Sequence, residues 1–519
     1  MKQGCNFKLR ASTVVPFVLV LAAGAARAQG PNSLRTVQAP LPSNLDDFVK
    51  DRAAAIRLGK ALFWDEQTGG DGRIACATCH FASGGDPRTV NTIHPGPDGQ
   101  FDGVPGPGGT LTVADFPIAG DNIVGSQGIV GATFVGLDPN DPIGADQCTP
   151  ADDGVFFPNR RVTGRNAPNF IMSIFNRDNF WDGRAKRDFN GVNPAGNLDP
   201  APVVFVGTNR LRAQAVTISA ASLASQTVGP PNNPVEMSCD GRSFPILGRK
   251  LLGRTPLGNQ RVAPSDSVLG SLSLSPANGI SRSYAQLIRA AFRPNLHASP
   301  NLTPDGFTQM EANFSLFWGL SILMYNSTLK PDRSPFDRFK DGNANALSGS
   351  QLAGLNVFLD KGRCIQCHSG PEFTAAPSGG SRSFANTGVT PTAADGGRQP
   401  DNLGEFKTPT LRNVELTGPY FHNGRYLSLM QVVDFYNRGG DVANAELDDN
   451  IRPLGLTASE RTSLVDFMLA LTDDRVRFER APFDHPSLNA PNGTAIAAVG
   501  AAGRATAIRP FLDANHFAP

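Results

Sequence analysis

Two short segments of this 519-residue chain carry one chemical pattern: Cys76-Ala77-Thr78-Cys79-His80 and Cys364-Ile365-Gln366-Cys367-His368. Two thiols separated by two residues reach the two vinyl groups of one porphyrin, and the adjacent imidazole then lies under the iron as an axial ligand. A zinc site would need two further ligands beside each thiol pair, and neither copy has a second C-x-x-C or spaced histidines close by. A redox dithiol would not need a histidine in the same place twice. The spacing therefore predicts two covalent haem c groups, held by Cys76, Cys79 and His80 and by Cys364, Cys367 and His368.

Such chemistry needs export, and the amino terminus supplies the signal. Lys2, Lys8 and Arg10 precede a short apolar stretch, Val14 to Ala23, and Ala26-Arg27-Ala28 forms an A-x-A cleavage site. We read residues 1–28 as a signal peptide and the mature chain as periplasmic or secreted. The apolar stretch is too short to span a bilayer, and no later run of ~20 apolar residues exists. The chain has 47 basic and 46 acidic residues. Removal of Lys2, Lys8, Arg10 and Arg27 leaves the mature chain slightly acidic. No run of five or six like charges occurs, which excludes a nucleic-acid groove and a polybasic membrane patch. Of seven cysteines, Cys5 leaves with the signal and four belong to the haem motifs. The remaining pair, Cys148 and Cys239, most simply forms a disulfide in an oxidising compartment. The loop of about 90 residues would be worth ~4–5 kcal/mol in the chain-entropy model.

The elements that must position these groups read as helices. Leu45, Phe48, Ile56, Leu62 and Phe63 mark an amphipathic helix over 45–63 that leads into the first motif. Thr303 and Pro304 read as the start of an apolar helix containing Phe307, Met310, Phe314, Phe317, Trp318 and Ile322. Ser348 with Gln351, Ser428 with Gln431 and Thr457 with Glu460 form capping boxes for three more helices. The first of these runs into the second motif. Residues 81–165 and 190–225, rich in Gly and Pro, read as loop insertions. The expected fold is mainly α: two cytochrome c-like helical domains with long irregular loops. Residues 29–300 would hold the active-site haem, 301–480 the electron-transfer haem, and 481–519 form an extension with a candidate haem ligand.

The second axial face of each iron decides the chemistry. The seven histidines are His80, His94, His297, His368, His422, His485 and His516, with none from 95 to 296. His94 lies in a Pro-Gly segment and reads as a solvated loop residue. The first haem is therefore expected to be open or water-occupied, where peroxide or O2 would bind. For the second haem, Tyr436 on the apolar face with Leu429, Val432 and Val433 is one candidate ligand. His485, in Ala481-Pro482-Phe483-Asp484-His485-Pro486, is the other, and spacing leaves the choice open.

The chain resembles the bacterial diheme cytochrome c peroxidase superfamily, which includes the MauG-type enzymes. Besides the haem motifs, the resemblance rests on Arg165-Asn166-Ala167-Pro168, Phe180-Trp181-Asp182-Gly183-Arg184-Ala185 and Asn233-Pro234-Val235-Glu236-Met237. It continues through Phe406-Lys407-Thr408-Pro409-Thr410-Leu411-Arg412-Asn413 and Leu416-Thr417-Gly418-Pro419-Tyr420-Phe421-His422-Asn423-Gly424. It implies that Trp181 lies on the electron route between the haems. Glu236 would be the distal acid/base at the first haem, and Gln226 would orient the oxidant. Asn166 would join the backbone carbonyls of Thr417 and Pro419 around a calcium ion. Many such peroxidases place a distal His shortly before the position of Asn166, but here the stretch is Phe156-Phe157-Pro158-Asn159-Arg160. The usual Met ligand of the second haem aligns with Tyr436, the MauG ligand type. The carboxyl-terminal segment around His485, Phe63-Trp64-Asp65 and Asn190-Gly191-Val192-Asn193-Pro194 is similar to diheme rubber oxygenases. That similarity favours His485 over Tyr436.

These readings imply a di-haem oxidoreductase that reduces H2O2 at the first haem. Electrons would reach the second haem from a small donor protein, a cytochrome c or cupredoxin, or from a small-molecule reductant. The protein is expected to be a monomer or homodimer, with no nucleic-acid partner and no membrane span. One alternative is an oxygenase that binds O2 and cleaves an apolar alkene such as polyisoprene. A pure electron-transfer cytochrome is the other, and the histidine-free span from 95 to 296 counts against it.

Overall fold

A computed structural model of the chain describes Met1 and residues 30–519. Apart from Met1, the predicted signal peptide lies outside the described residues. Among those described, eleven α-helices alternate with long connections. They are α1 (Arg52–Trp64), α2 (Ser222–Thr227), α3 (Phe244–Leu252), α4 (Tyr284–Ala291), α5 (Gln309–Ala312), α6 (Phe314–Asn326), α7 (Pro335–Lys340), α8 (Gly349–Leu359), α9 (Leu429–Arg438), α10 (Ala458–Leu469) and α11 (Asp474–Arg477). None is long and apolar enough to cross a membrane.

Local sequence sets most helix starts. Ser348, Ser428 and Thr457 cap α8, α9 and α10 through the predicted boxes. Two expected starts move. The helix expected over 45–63 begins at Arg52, because Asp51 accepts from the Ala54 N–H and Leu45–Asp47 forms only a 3-10 turn. Thr308, boxed with Glu311, caps α5 in place of Thr303. There the chain turns at Asn313 and resumes as α6.

Among the described residues two large apolar cores result, with a small third cluster of Ile93, Leu111, Ile118, Val124, Leu427 and Phe511. Every residue of α6 is buried, so it must be covered all round. It packs against α1, α2 and α3 in a first core that extends to Leu329. The second core starts at Phe336 and uses α7 to α10. The cores thus divide between residues 329 and 336, past the boundary expected near 300, because α6 finds its partners in the earlier chain. The carboxyl-terminal segment returns to the first core through Phe483, Leu488, Ala490 and Ile508. The stretches 81–165 and 190–225 are not wholly irregular. They contain short antiparallel pairs, including Ala132–Leu137 with Asp146–Pro150 and Val204–Val206 with Arg212–Gln214. Cys148 and Cys239 form the expected disulfide, Cα–Cα 6.3 Å. It ties the 132–150 hairpin to the chain just after Glu236.

One packing device occurs twice. On α1, a Cβ at Gly59 would overlap the Ser321 carbonyl oxygen of α6 and approach the Tyr325 Cβ to 3.0 Å. On α8, a Cβ at Gly354 would overlap the Ser463 carbonyl oxygen of α10 and approach the Phe467 Cβ to 2.8 Å. In each case a helix leading to a C-x-x-C-H motif crosses a second helix at backbone contact, which only glycine permits. Counted from the contacting glycine and serine, Phe63, Trp64 and Tyr325 of the first core correspond to Phe358, Leu359 and Phe467 of the second. The angle between the paired rings agrees: Phe63–Tyr325 lie 5.8 Å apart at 56°, and Phe358–Phe467 5.3 Å apart at 58°.

Candidate functional site

Each motif opens with a 3-10 turn, Cys76–Cys79 and Cys364–Gln366. The thiols of each pair therefore lie on one short turn with the histidine just beyond. His80 Nδ1 lies 3.0 Å from the Gly84 carbonyl oxygen. His368 Nδ1 lies 3.2 Å from Phe373 O and 3.1 Å from Pro409 O. A carbonyl only accepts, so Nδ1 carries the proton and Nε2 keeps its lone pair for a metal. Burial lowers both imidazole pKa values, His368 to about 4, so both rings are neutral as ligation requires. Burial also raises all four thiols, with Cys79 and Cys364 at about 12. A redox dithiol needs a depressed thiol pKa, so that use of the pairs is disfavoured.

The second motif faces a cavity with about 1420 Å³ free of atoms, its open mouth included. Cys364, Cys367 and His368 line one wall, and Tyr436 lines the same cavity. The Cys367 and Cys364 charges add to burial in raising the Tyr436 phenol. Several polar groups meet this space without partners among the described residues. They are His422 Nε2, Arg363 Nη1 and the Lys407 ammonium, which meets only the Trp181 ring, 5.8 Å from its centroid. Burial lowers Lys407 to about 8 and His422 to about 3. An apolar slot beside a free imidazole nitrogen, with cations and donors at its edge, fits a porphyrin and its two carboxylates.

Trp181 lines that cavity too. Its Nε1–H donates to Asn166 O at 2.8 Å, and its carbonyl accepts from Lys407 N at 2.8 Å. His422 stacks on Phe406 at 3.4 Å and stands edge-on to Trp181 at 6.3 Å. Asn166, Thr417 and Pro419 all border the cavity, and Asn166 N donates to His422 O at 2.7 Å. The three residues for which calcium was expected thus border one cavity, and an amide oxygen with backbone carbonyls is a donor set of the kind that hard cation takes.

Glu236 belongs to the first motif. Its charge acts on Cys76 and Cys79, and burial pushes its own carboxyl up to about 7, against a smaller opposing pull from Arg184. The turn that carries it is held by Asn233. The Asn233 side-chain oxygen accepts from Val235 N at 2.8 Å and Glu236 N at 3.3 Å. A Cβ at Gly128 would overlap the Val235 carbonyl oxygen, so the neighbouring strand presses directly on this turn. Gln226, at the end of α2, leaves its Oε1 buried and unpartnered, free to meet a group not of the protein.

The structure does not bring His485 to the second motif. Its ring is buried in the first core, stacked on Trp64 at 4.7 Å and 9°. Nδ1 lies 2.8 Å from Pro486 O and Nε2 3.3 Å from Glu479 Oε2. The tail returns to the first core, so proximity to the last helix in sequence does not become proximity to the second cavity. Sequence reasoning assigned no part to Asn233, Lys407 or His422. The readable signal was a polar residue inside an otherwise apolar or aromatic run, as in Phe406-Lys407 and Phe421-His422.

Comparison with known proteins adds a family match and three relatives. A family model described as di-haem cytochrome c peroxidase matches residues 53–345, more than half the chain, and includes the first motif, Trp181 and Glu236. Cytochrome-c peroxidase IdrP2 of Denitromonas iodatirespirans is 34% identical over 29% of this chain and 47% of its own length. Cytochrome c551 peroxidase of Nitrosomonas europaea is 27% identical over 62% of this chain and 70% of its own. The methylamine utilization protein MauG of Methylorubrum extorquens is 32% identical over 29% and 42%. The chain thus spans about half the length of the first of these relatives.

Proposed function

This chain belongs to the di-haem cytochrome c peroxidase family, and from that premise we propose that it reduces hydrogen peroxide at the first motif with electrons received at the second. The observation that carries this reading is Glu236, a carboxyl near neutrality held against the first thiol pair. A haem held by Cys76, Cys79 and His80 would supply the electrons that reduce the O–O bond. The chain's residues relay protons, and the two consumed come from solvent. Glu236 takes a proton from the bound peroxide oxygen and returns it to the leaving oxygen, which departs as water. Gln226 Oε1 orients the peroxide through its free hydrogen-bonding position. Per peroxide, two electrons and two protons give two waters.

Trp181, edge-on to His422 and lining the second cavity, carries electrons between the two centres. Tyr436 would hold the second haem together with Cys364, Cys367 and His368, since it lines their cavity and His485 does not. Asn166, Thr417 and Pro419 hold calcium beside Trp181 and stiffen the junction. The donor is a small cytochrome c or cupredoxin or a small-molecule reductant, in the periplasm or outside the cell. The oxygenase alternative drew on an open first haem and on His485 as a ligand, and a ring stacked on Trp64 does not support the second of these.

Steady-state peroxide reduction with a reduced small cytochrome tests this. Glu236→Gln is expected to lose it, and unchanged turnover would overturn the proposal. Electron paramagnetic resonance of the ferric protein tests the ligand. Tyr436→Phe should change the second haem's signal and His485→Ala should not.

A further inference from the structure

Trp64 has no part in the mechanism above, yet it ends an unbroken run of aromatic rings that starts at the first motif. The His80 ring lies 6.0 Å from Phe170. Phe170 stacks on Phe63 at 4.2 Å and 24° and lies 6.5 Å from Tyr325. Phe63 in turn meets Tyr325 at 5.8 Å and Trp64 at 6.0 Å. Phe63, Trp64, Phe170 and Tyr325 are all buried. Indole and phenol are the readily oxidised members of this run. Only the indole can lose an electron and keep its proton, because no acceptor takes the Tyr325 hydroxyl hydrogen among the described residues. Instead Tyr325 Oη accepts from Trp64 Nε1–H at 3.3 Å.

The surroundings favour positive charge on the indole. Lys60, one turn before Trp64 on α1, is a single ammonium serving two carboxylates, Asp266 at 2.8 Å and Asp484 at 3.5 Å, and all three side chains are fully enclosed. Asp484 immediately precedes His485, the ring stacked on Trp64, and Glu479 stands behind His485. Glu479 is itself paired with Arg504 at 3.1 Å, so Lys60, Arg504 and the three carboxylates leave one net negative charge here. The Asp484 and Asp266 charges act on Tyr325, the Trp64 hydrogen-bond partner. At low dielectric such charge stabilises a nearby cation. Packing alone does not demand these residues. At the equivalent crossing in the second core, Leu359 and Phe467 fill the places of Trp64 and Tyr325.

We propose that Trp64 is a redox residue of the first centre, oxidised through Tyr325, Phe63 and Phe170 when the second centre cannot supply electrons. This rests on the peroxide reading above. Each peroxide takes two electrons and two protons and leaves as two waters. Trp64 gives one of those electrons and becomes an indolyl radical cation, its N–H proton staying on the hydrogen bond to Tyr325. The centre at the first motif gives the other electron, and the two protons come from solvent. Two equivalents of a one-electron reductant of the donor class then restore Trp64 and the centre.

The chain has three tryptophans, so the assignment can be complete. Trp181 lies at the other cavity, and Trp318 donates to Thr227 O at 2.9 Å, outside the run. Ferric di-haem protein would be mixed with equimolar H2O2 without donor and freeze-quenched. Optical spectra, electron paramagnetic resonance and peptide mass spectrometry would be recorded. The expected result is an organic radical that narrows with ring-deuterated tryptophan, persists in Trp181→Phe and Trp318→Phe, and vanishes in Trp64→Phe. Oxygen should accumulate on the peptide containing Trp64. A radical undiminished in Trp64→Phe, or narrowed only by deuterated tyrosine, overturns the proposal. Where Trp64→Phe fails to fold, a deuterium-narrowed radical that persists in both Trp181→Phe and Trp318→Phe decides. An optical change without a tryptophan radical sinks the relay alone, whereas no optical change sinks the peroxide reading and the relay with it.

Discussion

The two motif-bearing regions share a scaffold and differ in what lines it. Each sends a glycine-bearing helix across a partner helix at backbone contact and then turns into C-x-x-C-H. Around the first motif the lining is titratable and oxidisable. Burial raises Asp65, Glu66 and Glu236, and Trp64 and Tyr325 stand behind. Behind the second motif, Phe336, Phe358, Phe373 and Phe467 form a cluster of edge-on and tilted rings, with the Arg412 guanidinium, paired to Asp337, 5.4 Å over Phe373. Its cavity offers cations and a phenol in place of carboxylates. Backbone geometry is what the two regions have in common, and the division of chemical labour lies in a few side chains placed on it.

The largest effect should come from removing one attachment site at a time. Cys76→Ser with Cys79→Ser is expected to retain one covalent haem by intact mass and to lose peroxide turnover altogether. Cys364→Ser with Cys367→Ser should retain the other haem and lose oxidation of the donor. Equal peroxide turnover in the two variants would break the comparison.

Glu236→Gln should lower kcat/KM for peroxide by about 10²–10⁴-fold, the usual scale for a lost general acid–base. Glu236 acts first as a base, so wild-type activity should climb as pH rises through about 7, and this limb should be missing in the variant. Stability runs the opposite way. The folded carboxyl titrates near 7 against an ordinary 4.5, so the fold holds the extra proton between those values. Stability therefore falls as pH rises across that window, and thermal melts of Glu236→Gln should lack this part of the slope.

Cys148→Ser with Cys239→Ser should cost about 2–4 kcal/mol in denaturant melts. The loss should fall on the first region, because the bond anchors the chain beside Glu236, and the second haem's spectrum should not change. The smallest effects should be the most alike. Gly59→Ala and Gly354→Ala each force a methyl into a backbone carbonyl, and about 1–3 kcal/mol is expected for each. Unequal losses would show that the two crossings are not equivalent.

What could be read in advance was local. The attachment motifs, the three capping boxes and the leftover cysteine pair are short patterns whose chemistry does not depend on distant chain. The shared crossing was hidden, because Gly59 and Gly354 sit in helices with little else in common and meet partners far away in sequence. The same long-range packing moved α6 into the first core, and it took His485 to Trp64 when sequence similarity had favoured the second iron. The short strands in 132–150 and 204–214 escaped because pairs of three to six residues interrupted by glycine carry too little alternation to register.

The return of residues 481–519 to the first core sets an order of assembly. A chain made from its amino end presents Cys76 and Cys79 long before Phe483, Leu488 and Ile508 exist to close over them. The first core is therefore complete only when residues 481–519 are in place, and they act as a clasp on it. A ribosome that stops early would release a protein whose second compartment is finished and whose reactive one never shuts.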